Sequence, residues 1–555
     1  MSEGARTQGI GPPMDGRKRV VNLLKSESVF AGALTALFLA CGWLGMLHHE
    51  MWRDEMHAWL VARDSASLWQ VIQVTRFEAH FALWRVVLYA LTRFTHNPIA
   101  VQLVSLVVAV GNIWIVARFS PFPRLEKFLF CFGFYNFYEY SILARDYTLI
   151  PVLMFSFCAL YGRKSKNFLG LSLILGLLAN TVPYGFLIAL IFTALLVFDW
   201  VFDSRRRNEW LENQRTLVAG VLTLLVGFAV AGVQYFFMKG PWTSSWAHPL
   251  TFAGFADTLT NIWRAYVPIP IGFPHWSEVR AESNFMFSGK PRGDASVVFL
   301  STLLLIICAG VLLRRPRAIF VFILGTGVLL SVQFVVFLGG LWHVGFLFML
   351  FMASLWIWYD SGRRESDAAL FHRLDELVFG SLRRPVIIGL LVIQLAAGIA
   401  VWGADLFYPF SAGKNAARLI RDHDLSGAVI VGSEETRVSP LSGYLDKQIY
   451  YCENSRFGSY IDFSRPIIPV PGRDVARVAS RFALETQGDV VVVLTSRFVT
   501  GKGSNDPVTD GWICADGRFE SSRDLCTTPS VRIKWLGFFG GMIDELYNVY
   551  LVRPE

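Results

Sequence analysis

Asp54 and Glu55 stand side by side in the stretch WRDEMHAWLVARDSASLW (52–69), directly behind an apolar run that ends near Leu47. His57, Glu78, His80, Glu139, Arg145, Asp146 and His343 are likewise ionisable groups beside apolar runs. Charges at membrane depth are costly and mark functional sites by default. Carboxylates of this kind can take a proton from a hydroxyl, and a guanidinium can engage two oxygens of a phosphate. A helix over 54–64 brings Asp54, His57 and Asp64 within an arc of about 80°, with Met56, Trp59 and Leu60 on the opposite side. Residue by residue, other roles stay open. An acidic pair behind a first span also suits a solvated helix end, His80 the N-terminus of an amphipathic helix, and Arg145 with Asp146 a local ion pair. His57 with Asp54 and Asp64 has the donor types of a metal site. Trp342 and the rings of FGFYNFYEY (132–140) suit an interfacial belt, and such rings also stack on sugars.

Membrane helices must position these groups. Of 555 residues 54% are hydrophobic, 15% aromatic and 17% charged, too apolar for an ordinary soluble enzyme. The net charge of +8 does not argue for a nucleic-acid partner, because the basic residues fall in short clusters between apolar runs. Taking roughly 20 apolar residues per span, the runs near 29–48, 98–118, 125–143, 147–162, 168–183, 185–203, 216–237, 294–313, 318–339, 344–360 and 386–404 predict about eleven transmembrane helices. Basic clusters at Arg17/Lys18/Arg19/Lys25, Arg118/Arg124/Lys127, Arg163/Lys164/Lys166, Arg205/Arg206/Arg207, Arg314/Arg315/Arg317 and Arg363/Arg364 through Arg383/Arg384 fall in alternate loops. The positive-inside rule makes those loops cytoplasmic.

The stretch HFALWRVVLYALTRF (80–94) is too short for a span and carries Arg85 and Arg93. Its periodicity puts Leu83, Trp84, Val87, Ala90, Leu91 and Phe94 on one face and Arg85, Tyr89, Thr92 and Arg93 on the other, which suits a helix lying in the membrane surface. The expected organisation is a cytoplasmic tail (1–28), a transmembrane domain (29–404) and an extracytoplasmic domain (405–555). Its outer loops are 49–97, with two surface helices, and 238–293. In the last domain AVIVG (428–432) and DVVVVLTS (489–496) read as buried strands with a helix over 475–488 between them, a small α/β unit without a nucleotide-binding pattern. Cys41, Cys131, Cys158 and Cys308 lie in apolar runs, whereas Cys514 and Cys526 can bridge if their domain is extracytoplasmic, leaving Cys452 over.

Asp54-Glu55 after a first span, Ala62-Arg63-Asp64-Ser65, Glu78-Ala79-His80 before a surface helix, and Tyr140 through Tyr147 (YSILARDY) together resemble the GT-C fold glycosyltransferases that use polyprenyl-phosphate sugars. Relatives of that kind include protein O-mannosyltransferases, aminoarabinose transferases of lipid A and galacturonic-acid transferases of lipopolysaccharide. The resemblance covers roughly residues 29–360 and is strongest over 50–150; Phe81 replaces a proline common in relatives, and HVG at His343 matches loosely. It implies a lipid-linked sugar donor, an envelope glycan, lipid or protein acceptor, and single-displacement inversion. It also implies Asp54 as general base with Glu55 positioning it or the acceptor, and Arg145, His343 and His80 on the donor phosphate. Glu139, Asp146, His57, Glu78 and Tyr184 line the substrate pocket in this reading; the sole cofactor in question is a divalent cation. Membrane lipids are the other partners. The chain has no Asn-x-Ser/Thr sequon, which fits a bacterial inner membrane with the site on its periplasmic side. A lipid or sugar transporter and a non-catalytic envelope assembly protein are the competing classes.

Overall fold

The computed structural model describes residues 26–78, 80–162, 167–239, 250–291, 293–361, 380–499, 507–526 and 530–554. The basic clusters Arg17/Lys18/Arg19/Lys25, Arg163/Lys164/Lys166 and Arg363/Arg364 lie outside the described residues, as does Ala79.

Every expected span is helical. Eight helices are long and apolar enough to cross a membrane, beginning with α1 (Glu27–His48), while Asp146–Gly162 and Phe168–Ala179 are shorter apolar helices. The expected span 125–143 is broken: an α-helix, Arg124–Cys131, gives way to a π-helix, Tyr135–Ile142, in which Tyr140 has φ −110°. Leu341–Ser361 is the central column, with 83% of its apolar window buried against 17% for the peripheral Gln214–Phe236. Gly345 lets it approach the π-helix, since a Cβ there would overlap the Tyr135 and Tyr140 side chains.

The first outer loop holds three helices rather than two: α2 (Arg53–Asp64), α3 (Leu68–Thr75) and α4 (Leu83–Thr92). The start of α3 is set by a reciprocal cap, with Ser67 Oγ accepting from Gln70 N–H and Gln70 Oε1 accepting from Ala66 N–H. In α4 the expected faces are corrected. Its inward stripe is Trp84, Arg85, Leu88 and Thr92, and Phe94 is exposed. Arg85 turns inward because Glu78 waits there as a buried ion-pair partner. The long outer loop contains a further helix, Phe252–Tyr266, anchored by Asn261 Nδ2 donating to Gln333 Oε1 (3.0 Å) and to the Leu338 carbonyl (2.8 Å).

The C-terminal part is one eight-stranded sheet: β1 (Val429–Gly432), β2 (Ile449–Tyr451), β3 (Arg456–Gly458), β4 (Val490–Leu494), β5 (Asp510–Ile513), β6 (Phe519–Glu520), β7 (Val531–Phe539) and β8 (Tyr547–Arg553), in the order β3-β2-β1-β4-β8-β7-β5-β6. β1 runs parallel to β2 and β4, and the other pairings are antiparallel. The valine run of β4 is buried at every position because both faces are covered. Val490 and Val492 meet Ala476, Ala479 and Ala483 of the helix Gly472–Thr486, whereas Val491 and Val493 meet Ala416, Ala417 and Ile420. Cys514 and Cys526 are bridged, and Cys452 is free and buried.

This domain clasps α2. Tyr444 donates to the Met51 carbonyl (3.1 Å), Arg63 Nη1 to Asp446 Oδ1 (2.8 Å), and Arg53 N–H to Glu545 Oε1 (2.8 Å). A Cβ on Gly443 would overlap the Met56 sulfur, so the two surfaces meet as closely as a glycine allows. Trp59, Leu60 and Met56 are fully buried on the greasy side of α2, each stabilising the helix by about 1.5–3 kcal/mol.

Candidate active site at the outer helix ends

Asp54 lies in the first turn of α2 with its side chain 32% exposed, and its Oδ2 forms an ion pair with Arg145 Nη2 at 2.8 Å. Arg145 comes from the turn between the π-helix and Asp146–Gly162 and is itself buried. Its guanidinium lies over the rings of Trp342 (4.3 Å), Tyr147 (4.9 Å) and Trp52 (5.5 Å). This aromatic box holds the cation by its faces and leaves its N–H edges for anions. One edge is taken by Asp54; Nη1 is buried with no hydrogen-bond partner among the described residues. Burial opposes the charge, yet Asp54, Tyr147, Glu139 and Glu282 outweigh it and raise the Arg145 pKa further above its ordinary value.

Glu139 sits inside the π-helix, a geometry that recurs at functional sites; it is 2% exposed, with Oε1 unpartnered among the described residues. Glu282 joins this group from the long outer loop. Its backbone is left-handed (φ 62°), uncommon outside glycine, and its Oε1 also lacks a partner among the described residues. Burial, then the neighbouring Glu139, push its carboxyl well above the usual range.

A second chain of ion pairs runs beside the first. His57 Nε2 is 3.0 Å from Glu78 Oε1, Glu78 Oε2 bonds Arg85, Arg85 is 4.0 Å from Asp146, and Asp146 Oδ2 is 2.6 Å from His80 Nδ1. His57 Nδ1 accepts from the backbone N–H of Ile461 in the C-terminal domain (3.3 Å). Six of the expected site residues thus come together as two neighbouring sets: Asp54 with Arg145, and His57, Glu78, His80 and Asp146 through Arg85.

Two expectations change. Glu55 is fully buried: Oε2 accepts from His49 Nε2 (2.9 Å) and Trp52 N–H (3.2 Å), and Oε1 from Ala144 N–H (2.6 Å). It fixes α2 against the turn that carries Arg145, with both carboxylate oxygens engaged by protein groups. His343 has both ring nitrogens occupied, Nδ1 accepting from Gly340 N–H (3.1 Å) and Nε2 facing the Tyr147 hydroxyl (2.8 Å), with the Tyr184 ring tilted against it at 4.9 Å. It therefore braces Tyr147 in the Arg145 box instead of offering a nitrogen to phosphate. As for a metal, no group of three His, Cys, Asp or Glu side chains among the described residues is arranged to hold one. Asp64 turns to Arg63 and Ser459, away from Asp54 and His57.

Sequence reasoning missed His49 and Asp405. His49 Nδ1 is 2.7 Å from Asp405 Oδ2, which also accepts from the Tyr138 hydroxyl (2.9 Å). Burial alone would lower the His49 pKa, but the carboxylates of Asp405 and Glu55 raise it to about 10, so this bridge between the first and last spans stays charged.

No family model and no curated protein matches the chain. Among solved structures it is similar to the crystal structure of ArnT from Cupriavidus metallidurans bound to undecaprenyl phosphate, over 90% of this chain and 99% of that one, at 12% identity and a TM-score of 0.46.

Proposed function

We propose that this protein is a GT-C type membrane glycosyltransferase that moves a sugar from a polyprenyl-phosphate donor to a cell-envelope acceptor on the outer, periplasmic face of a bacterial inner membrane. The observation that supports it most is the Asp54–Arg145 pair: a part-exposed carboxylate beside a boxed guanidinium with one free N–H edge. The resemblance of the Asp54-Glu55 and Tyr140–Tyr147 motifs points the same way.

In this reading the donor phosphate binds Arg145 through Nη1 and then competes with Asp54 for the second edge. That exchange frees the Asp54 carboxylate. Asp54 takes the proton of the acceptor hydroxyl as its oxygen attacks the anomeric carbon. The bond from that carbon to the phosphate oxygen breaks, and its electron pair leaves with the polyprenyl phosphate, whose growing charge faces Arg145. One displacement inverts the anomeric centre. Glu139 and Glu282 face the sugar side of Arg145, and His80, held by Asp146, keeps Nε2 without a partner among the described residues for a donor oxygen.

The test is transfer of label from a lipid-linked sugar to endogenous acceptor in membranes carrying the wild-type protein. Covalent label in an envelope glycan, lipid or protein is expected. Movement of the lipid-linked sugar across the bilayer without covalent transfer would make the protein a transporter instead.

A further inference from the structure

Between the first outer loop and the sheet domain lies a cavity of about 310 Å³, within the range of small-ligand sites. Gln70, Gln73 and Phe77 of α3 and its following turn line one wall; Arg456 at the start of β3, with Tyr460 and Asp462 beyond it, line the other. The mechanism above uses none of these six.

Charge in this cavity is largely cancelled. Arg456 Nη2 is 2.8 Å from Asp462 Oδ2, and Glu78, which also lines the space, is answered by Arg85 and His57. Arg76 at the rim lies over the Phe77 ring at 4.7 Å. What remains is the amide of Gln73, the amide NH2 of Gln70 (its oxygen is held by Ala66 N–H), one carboxylate–guanidinium pair, and the part-buried rings of Phe77 and Tyr460. Arg456 Nε is buried with no partner among the described residues. A phosphate would find the inner cations, Arg456 and Arg85, already answered by carboxylates, with Arg76 at the rim the one cation of the lining that has no carboxylate partner among the described residues. A ring dense in hydroxyls would not: neighbouring hydroxyls bridge a carboxylate and a guanidinium, amides take the rest, and an aromatic ring covers the C–H face.

The cavity adjoins the site. Glu78 belongs to both, and its partner His57 is three residues from Asp54, on the same face of α2. We propose that this cavity binds the saccharide part of the acceptor, a neutral hydroxyl-rich ring, and presents it beside Asp54. The proposal rests on the glycosyltransferase reading.

The experiment titrates purified full-length protein with chitobiose and with maltose, followed by saturation-transfer NMR. Gln73→Trp places a large ring at an exposed position of α3, filling the cavity without disturbing the core; Tyr460→Ala removes a ring face, and Tyr460→Phe retains it. Saturable binding of at least one disaccharide is expected, weakened about tenfold or more in Gln73→Trp and Tyr460→Ala, a change of ~1.4 kcal/mol. Tyr460→Phe and Asp54→Asn should bind like wild type, and inorganic phosphate should not compete. Absence of saturable binding, equal binding in wild type and both disruptive variants, or competition by phosphate would each overturn the proposal. So would undiminished sugar transfer by Gln73→Trp and Tyr460→Ala, which would leave the transferase reading intact. Normal disaccharide binding with no transfer by wild type would instead remove the transferase reading and leave a saccharide site.

Discussion

One helix, Pro183–Phe202, touches two clusters of buried charge, and they are built in opposite ways. Near its C-terminal end Asp199 accepts from Tyr161 (2.7 Å) and Arg206 (2.7 Å) on Oδ2 and from Arg317 (2.6 Å) on Oδ1, while Arg317 also reaches Asp203 (2.6 Å). None of these side chains has a buried polar atom without a partner. At the N-terminal end, roughly 22 Å away at 1.5 Å per residue, the Tyr184 ring packs against His343 beside the Arg145 box. There Arg145 Nη1, Glu139 Oε1, Glu282 Oε1 and Trp342 Nε1 have no hydrogen-bond partner among the described residues. Native proteins satisfy their buried polar groups almost without exception. The Asp199 cluster closes on itself, whereas the Arg145 cluster keeps polar edges unanswered among the described residues, as the proposed donor site requires.

The comparison breaks first at Asp54. Asp54→Asn keeps the shape and a hydrogen bond to Arg145 but cannot take a proton, so transfer should fall by about 10² to 10⁴. Thermal stability of the purified variant should match wild type. Near-normal label transfer by Asp54→Asn would sink the base assignment.

Asp199→Ala should show the converse. Removing a carboxylate with 0% side-chain exposure strands Arg206 and Arg317, and breaking such a pair costs about 3–5 kcal/mol. The unfolding midpoint in detergent should drop, while the donor KM of the protein that stays folded should not change. A raised KM with an unmoved midpoint would dissolve the contrast between the two ends.

A smaller effect separates binding from chemistry within the open cluster. Arg145→Ala loses a charge-assisted contact of about 1.5–3 kcal/mol, so the donor KM should rise about 10- to 100-fold, and the acceptor KM far less. Equal losses on both substrates would count against a phosphate role for Arg145.

The sequence carried these two clusters unequally. Spans, the helix behind the first span and the buried valine strand were legible because their signals are local: run length, a 3.6-residue period and unbroken β-branched hydrophobicity. Asp54, Arg145 and the His57–Glu78 neighbourhood were legible as charges where charges are expensive. Glu282 was not, because it lies in irregular backbone of a long loop whose helix Phe252–Tyr266 carries Asp257, Asn261 and Arg264 and reads as polar. His49 and Asp405 looked like ordinary span ends, since their pairing joins residues 356 apart and leaves no periodic trace. The α4 face was misassigned for a related reason: Arg85 looks solvated until Glu78 is known to be buried opposite it.

The clasp of the sheet domain on α2 lies between the two extremes and gives the smallest effect. Glu545 has its hydrogen bonds, from Arg53 N–H (2.8 Å) and Ser411 Oγ (2.7 Å), like the closed cluster. It is nonetheless fully buried, and burial, only partly offset by Arg53, lifts its carboxyl from 4.5 to about 8. The folded protein therefore binds a proton here that the unfolded chain has released between those values. Stability from this group is fully present below about pH 4.5 and is lost as pH rises through about 8. Glu545→Gln keeps both hydrogen bonds and cannot ionise, so its unfolding midpoint should lack that part of the decline. Measured from about pH 5 to about pH 8.5, wild type should lose stability relative to the variant as pH rises, with the steepest divergence about midway between the two values and a levelling off as the pH passes about 8. Parallel curves would mean that Glu545 stays charged when folded and that the clasp belongs with the closed cluster. Diverging curves would make it a proton-dependent contact on the residue next to Asp54.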